Sequence, residues 1–259
     1  MQAIQDAIRK RTQKYIDGRY PNWNLDAALR YLPVARELDR SRAKQVLDVG
    51  SGGAGLSLYW GRNTIALDLS LPPALRGSLT QPVLAAATAL PFKDRSVEVV
   101  VSCDVLEHLP RQDRAQMLSE MVRVARRQMI VAAPCGQLAH EAEIEVAKVH
   151  REKKNEAHLW LKDHLEHGLP EVTEVEEAIR SLAAEYGRGT SIRVEKNTNL
   201  KLWKGFFRLY FGGGPRTARL IRYYTLALIP VLRHIHWGET YRKIFFVDLE
   251  PSPTGGAAS

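Results

Sequence analysis

The sequence predicts an α/β fold built on a parallel sheet. Three observations carry this. Short apolar runs such as VLDV, TIALDL and VEVVVSC alternate with segments whose apolar residues recur at helical spacing. A bare turn, GSGGAG, separates the first apolar run from a helical segment. The 259 residues are 45% apolar and 25% charged, enough to bury a substantial core in one large domain.

Asn24 is placed to cap a helix over LDAALRYLPVARELDRS, in which Pro33 is expected to cause a bend or interruption. QVLDV reads as a buried strand, and the glycine turn leads into a helix through LSLYW. TIALDL is a second strand, PVLAA a weak third, and VEVVVSC a fourth with three consecutive valines. RQDRAQMLSEMVRVARR is a helix with Met117, Leu118, Met121, Val122 and Ala125 on one face, and QMIVAAP a fifth strand. Parallel neighbours joined in this way imply right-handed crossovers.

Beyond Pro134, residues 140–167 read as a charged helical stretch and TEVEEAIRSLAAEY as a helix ending at Gly187. TSIRVEKN and YRKIFFVDLE are two further strands. The helical connection between them is long enough to suggest a function. The expected organisation is a single domain over 1–259: a ligand-binding core at 44–135, a helical cover at 136–186, a basic aromatic insertion at 199–238 and a disordered tail at 251–259.

The formal net charge of +8 is unevenly placed. Residues 187–259 hold 12 Lys/Arg against 4 Asp/Glu, whereas 1–186 hold 25 of each. This local excess suits anionic partners or a solvated surface. Cys103 and Cys135 are too few for a disulfide framework and suit a reducing compartment. No secretory signal is evident, and YYTLALIPVL is too short to span a bilayer. The expectation is a cytoplasmic protein, with room for association at the inner face of a membrane.

The turn fits G-x-G-x-x-G at Gly50, Gly52 and Gly55, between strand and helix, where bare backbone lets a ligand approach the sheet. Asp68, ending the next strand, can accept from ribose hydroxyls. Nicotinamide dinucleotides and S-adenosylmethionine both satisfy this pattern. Asp48 separates them, because a carboxylate there would repel a pyrophosphate and favour an ammonium and a sulfonium.

VLDVGSGGAG, ALDLS, ALPFKDRSVEVVVS and DVLEHLP, in this order and spacing, resemble the class I S-adenosylmethionine-dependent methyltransferases. Within them, the small-molecule branch of ubiquinone and menaquinone biosynthesis methyltransferases is the nearest in pattern. The resemblance covers residues 44–135. It implies a Rossmann-like, seven-stranded, mostly parallel sheet whose last strand is antiparallel, with helical insertions after strand five and before the last strand. It implies S-adenosylmethionine as cofactor, with Asp48, Gly50, Ser51 and Gly52, together with Gly55, around its methionine part. Asp68 would hold the ribose and Leu69 pack on adenine, with Thr88, Ala89 and Leu90 at the adenine edge and Cys103 beside the methionyl chain. Ala86 stands where the family often has an aspartate, so backbone groups or Thr88 would replace that partner.

Methyl transfer needs a nucleophile held in line and, for a hydroxyl, a base. His108 is the candidate base, with Asp104 and Glu107 as orienters; His158 and His164 are alternatives on the cover. His164 and His167 share a helix face, but no completed ligand set points to a metal. In NLKLWKGFFRLYFGGG, Trp203, Phe206, Phe207, Tyr210 and Phe211 form one aromatic helix face, with Lys201, Lys204 and Arg208 away from its centre. Arg216, Arg219 and Arg222 open a second apolar segment that runs to Trp237. The stripe suits packing on the sheet, an anionic membrane surface, or an apolar lipid-linked acceptor. It suits nucleic acid poorly, because its rings do not interleave with basic residues. The activity expected is methyl transfer, to oxygen in preference to carbon or nitrogen, of a small or lipid-linked acceptor. The alternative is an inactive scaffold of the same fold that docks to a membrane.

Overall fold

The computed structural model describes residues 11, 13–19, 22–53, 55–72, 79–154 and 158–251. The expected tail, 251–259, lies outside these except for Pro251, which ends the last strand; the side chains of Arg216 and Arg219 also lie outside. A helical segment, α1 (13–19), precedes α2 (Leu25–Arg40). The core then alternates β1 (Val46–Val49), α3 (Gly55–Trp60), β2 (Thr64–Asp68), β3 (Thr80–Leu84), β4 (Val97–Cys103), a 3-10 turn (Leu106–His108), α4 (Arg111–Val124) and β5 (Ala125–Pro134). A helical cover follows, α5 (Gln137–Lys154), α6 (Leu159–His167) and α7 (Val172–Glu185). After β6 (Arg188–Asn199) come α8 (Leu200–Gly212), α9 (Pro215–Ala227), α10 (Ile229–Leu232) and finally β7 (Thr240–Pro251).

The seven strands form one sheet in the order β3-β2-β1-β4-β5-β7-β6. β7 runs antiparallel to β5 and to β6, and the other pairs are parallel. Strand order reverses between β1 and β4, so the crevice beyond their carboxyl ends is where an open sheet of this kind receives a ligand.

The valine run of β4 explains the two cores. Val99 and Val101 face one side, with Val46, Ile130 and Phe246, under α2 and α3. Val100 faces the other, with Leu47, Phe245 and Met121, under α4 and α7. Alternate residues point to opposite faces, so a strand covered on both must be apolar throughout. A third cluster joins Ala142 and Val146 of α5, Leu161 of α6 and Trp203 and Phe211 of α8 to Tyr241. It makes the cover a small core of its own over the ligand edge of the sheet.

Four boundaries differ from expectation. α2 passes through Pro33 without interruption, its start fixed by Asn24 Oδ1 accepting from the Ala27 N–H at 2.8 Å. β3 begins two residues before PVLAA and sits at the sheet edge, where Pro82 withholds no bond from a central ladder. The charged stretch at 140–167 divides into α5 and α6. α4 stops at Val124, so Ala125 begins a strand although its side chain is buried as expected.

The last boundary has a visible cause. Buried Arg188 donates to the carbonyls of Val122 (3.0 Å), Ala125 (2.5 Å), Arg126 (2.6 Å) and Leu249 (3.2 Å). A guanidinium can thus cap the end of α4 and tie it to β7. Replacing Arg188 by Met would keep the bulk but strand these carbonyls. Urea unfolding should show a loss of about 2 kcal/mol or more.

Candidate active site

The chain turns sharply at the end of β1. Gly50, Gly52 and Gly55 all have positive φ, at 72°, 61° and 50°. A Cβ on Gly50 would clash with the Val105 side chain, and one on Gly55 with the Asp48 carboxylate. Glycine is therefore required at both by conformation and by space. The Gly50 and Ser51 N–H groups both donate to Leu67 O, at 2.7 and 3.1 Å, pinning the turn to β2. Asp48 Oδ2 accepts from the Leu56 N–H at 2.8 Å, and Asp68 Oδ2 from the Gly52 N–H at 2.8 Å. The two carboxylates thus bracket the turn.

Among the described residues, Asp48 Oδ1 and Ser51 Oγ are buried without a hydrogen-bond partner. Burial pushes the Asp48 carboxyl up to about 7, with the Leu56 N–H and Arg30 opposing. A cavity of about 390 Å³ opens here, lined by the turn, by Asn24, Arg30 and Tyr31 of the α2 region, by Tyr59, and by Cys103 and Asp104. Burial raises the Cys103 thiol well above its usual range, so it is a neutral wall and no nucleophile. Leu69 is largely exposed beside Asp68. Thr88, Ala89 and Leu90 do not line this cavity. They form a turn fixed by the Leu90 N–H donating to Glu120 (2.7 Å) and the Thr88 carbonyl accepting from Gln116 (3.4 Å).

Asp104 follows β4 with a left-handed φ of 54°. It accepts from Arg242 Nε at 2.6 Å and Nη2 at 2.5 Å, and from Arg30 Nη1 at 2.7 Å. Burial opposes its ionisation, but Arg242 and Arg30 outweigh burial and hold it down at about 2. Asp104 is therefore committed to arginines and does not orient His108. That task falls to Asp163 of α6, whose Oδ2 lies 3.2 Å from His108 Nδ1.

A second cavity, of about 480 Å³, shares Asn24, Arg30 and Asp104 with the first. One wall is Glu107, His108 and His164; another is the aromatic face of α8 with Trp160. The stripe read from the sequence therefore turns inward. Trp203 and Phe211 are buried, Phe206 and Phe207 half-buried, and Trp203 stacks on Tyr241 at 3.8 Å between ring centres.

His164 Nε2 faces His108 Nε2 at 3.3 Å, while its Nδ1 meets Glu143 Oε1 at 2.7 Å. Tyr241 OH donates to the same Glu143 oxygen at 2.6 Å. Burial and the neighbouring His164 lower the His108 pKa; burial also opposes charge on His164, but Glu143 and Glu107 raise it. Burial pushes Glu107 up to about 8. His167, weighed in the sequence with His164, offers only its carbonyl, to Arg114. His158 lines the second cavity.

Sequence reasoning did not find Arg30, Tyr31, Glu143, Asp163 or Arg242. Their partners lie far away along the chain, so no local spacing marks them.

Residues 47–132 match the model of a family described as a methyltransferase domain. Over 119 residues the chain is 33% identical to the chloroplastic tocopherol O-methyltransferase of Arabidopsis thaliana, a match covering 39% of this chain and 32% of that protein. The chain thus spans about a third of the curated relative it matches. Two solved structures superpose over most of the fold. The methyltransferase domain of bacterial CtHen1-C gives a TM-score of 0.53 at 14% identity, covering 88% of this chain and 100% of that one. A SAM-dependent methyltransferase from Thermotoga maritima gives 0.52 at 12% identity, covering 92% and 98%. At these identities the likeness is one of fold.

Proposed function

We propose that this class I, S-adenosylmethionine-dependent methyltransferase core transfers the methyl group to an oxygen of a small or lipid-linked acceptor held in the aromatic cavity. One observation carries the reading: the cavity at the glycine turn and the aromatic cavity are neighbours that share Asn24, Arg30 and Asp104 in their walls. The relative's printed activity, an O-methyl transfer, supports oxygen as the atom.

The residues at the turn fit a cationic nucleoside. Ser51 Oγ, in the cavity wall with Gly50, Gly52 and Gly55, is an unpaired polar atom for its methionine end, and Asp48 Oδ1, buried outside the lining residues, is another unpaired atom at the same turn. On this reading Asp68 would hold the ribose, Leu69 would pack on adenine, Cys103 would lie beside the methionyl chain, and adenine would extend beyond the cavity toward Thr88, Ala89 and Leu90. The cofactor supplies a methyl already activated by its sulfonium. The protein's work is positioning, exclusion of water by the aromatic wall, and removal of the acceptor's proton. His108 takes that proton, oriented by Asp163.

Titration with S-adenosylhomocysteine, followed by mass spectrometry of extract incubated with deuterated-methyl cofactor, tests the reading. Absence of binding on folded protein would overturn it. Cofactor binding without any labelled product would favour the inactive scaffold.

Two results should follow. Only ionised Asp48 attracts the cofactor's ammonium, and burial keeps much of it protonated below about 7. Affinity for S-adenosylmethionine should therefore rise as pH increases through about 7, then level off, and Asp48→Asn should abolish the rise in a calorimetric series. His108→Gln should lower kcat by about 100-fold or more while the cofactor Kd holds. Equal loss of both would remove His108 from the chemistry.

A second surface supports docking to an anionic membrane. Leu220, Tyr224, Leu228, Val231 and Trp237 are exposed around α9 and α10, and Leu209 of α8 joins them. An apolar groove of about 490 Å³ runs between α8 and α9. Lys201 lines that groove and Arg233 is exposed just after α10, supplying positive charge, whereas Arg222 is paired with Asp17 at 3.2 Å. No helix of the described residues is long and apolar enough to cross a membrane, so contact would be superficial. The protein should sediment with phosphatidylglycerol vesicles in a salt-sensitive manner, and Leu228→Glu should release it. Binding unchanged in that variant would reject this surface.

A further inference from the structure

His108 and His164 face one another through their Nε2 atoms. His164 Nδ1 faces Glu143 at 2.7 Å and His108 Nδ1 faces Asp163 at 3.2 Å. With both rings neutral, each imidazole donates from Nδ1 to its carboxylate, which leaves Nε2 as an acceptor. The two Nε2 atoms nevertheless point at one another across 3.3 Å. Two acceptors at that distance repel unless a positive centre lies between them.

Glu107 completes the picture. Its side chain is fully buried, and neither oxygen has a hydrogen-bond partner among the described residues. One oxygen lies 4.0 Å from His164 Nε2. Leaving a buried carboxylate unpaired is costly, so such a group points to a missing partner. Glu143 Oε2 is likewise unpartnered. Glu107, Glu143 and Asp163 thus converge on two imidazoles, whereas nearby Asp104 is answered by Arg30 and Arg242.

We infer that Glu107, His108 and His164 form a binding site for one divalent first-row transition-metal ion. A ligand atom from each lies within 4.8 Å of the others. Bonds of about 2.1 Å set neighbouring ligand atoms about 3 to 3.4 Å apart, so the histidine nitrogens already have the spacing; the two rings must tilt so that both lone pairs meet at the ion, and Glu107 must swing inward. Two imidazoles and one carboxylate favour Mn²⁺, Fe²⁺ or Zn²⁺ over the oxygen-seeking Mg²⁺ and Ca²⁺. The Glu143–His164 and Asp163–His108 pairs are the carboxylate–histidine arrangement that fixes a ligand's tautomer and strengthens its free nitrogen. Glu107, His108 and His164 all line the aromatic cavity, so the ion's remaining positions would face the acceptor.

The site stands on these residues alone; its role rests on the methyl-transfer reading. There the ion would hold the acceptor's hydroxyl oxygen and lower its pKa so that its proton passes to water, and His108 would act as the base only in the metal-free protein.

The test uses the full chain, stripped with chelator and titrated calorimetrically with Mn²⁺ and, separately, Zn²⁺. One ion per chain is expected, with Mn²⁺ also read by its paramagnetic resonance spectrum. Glu107→Gln and His164→Ala should each weaken binding by about tenfold or more, and S-adenosylhomocysteine affinity should hold, showing the fold intact. His108→Gln supplies a third variant should His164→Ala fail to fold. No saturable binding of either ion up to about 1 mM, on protein that binds S-adenosylhomocysteine, overturns the site and leaves a shared proton as the occupant. Equal binding in the Glu107→Gln and His164→Ala variants also overturns it. Ion binding lost in the variants, with no product from any extract, sustains the site and rejects the methyl-transfer reading.

Discussion

The architecture of the ligand edge depends on a buried ion cluster, Asp104 with Arg242 and Arg30. Asp104 ends the loop after β4, Arg242 comes from β7, and Arg30 from α2. Arg242 is fully buried and also donates to Asn197 at 3.2 Å, which joins β6 to the same point. Taking such charges out of water is expensive, and only the bidentate geometry and the third partner offset it. Removing one member would leave the others charged and dry. The cluster therefore specifies a single arrangement of α2 and the sheet, with Arg30 and Asp104 in the walls of both cavities and Arg242 in that of the aromatic one. The left-handed backbone at Asp104 fits this view, since the surrounding pairs hold it in place.

The aromatic cover has a different logic. α8 faces α5, α6 and Tyr241 with its ring surface, so the third core is assembled across the crevice from the rings Trp203, Phe211 and Tyr241 packed on small aliphatic side chains of α5 and α6. Dispersion between such rings is not directional enough to fix each one. Trp203 is set by stacking on Tyr241, whose hydroxyl is in turn set by Glu143. Phe206, Phe207 and Tyr210, nearer solvent, have fewer such constraints and can adapt to an apolar guest. The boundary between rigid and adaptable rings runs along one helix face.

What the sequence disclosed follows from distance along the chain. The glycine turn was legible because Gly50, Gly55 and Asp48 lie within eight positions and their steric reason is local. The strands were legible because double-sided burial demands unbroken apolar runs such as VEVVV. The helical period of the aromatic stripe was visible too, but which way it faced was not, since that depends on Tyr241 and α5. Asp104 was misassigned as an orienter of His108 for the same reason: its arginines sit 74 and 138 residues away. Boundaries at α4 and β5 failed because Arg188, 63 residues on, caps the helix.

The contrast between Asp104 and Glu107, three residues apart, shows why proximity in sequence says little about electrostatic state. Glu107 is fully buried and Asp104 partly so, yet Asp104 is held ionised at about 2 and Glu107 pushed up to about 8. The difference is the partner. Two guanidiniums keep their charge at any accessible pH, so Asp104 has a permanent answer. Glu107 faces imidazoles, whose charge depends on a proton that must be shared with Glu143 and Asp163. A region that balances its charge only through a mobile proton can exchange that proton for another positive centre at little structural cost. The arginine cluster cannot make that exchange. The fold thus places a fixed electrostatic anchor beside an exchangeable one, with the first holding the two cavities together and the second facing the ligand.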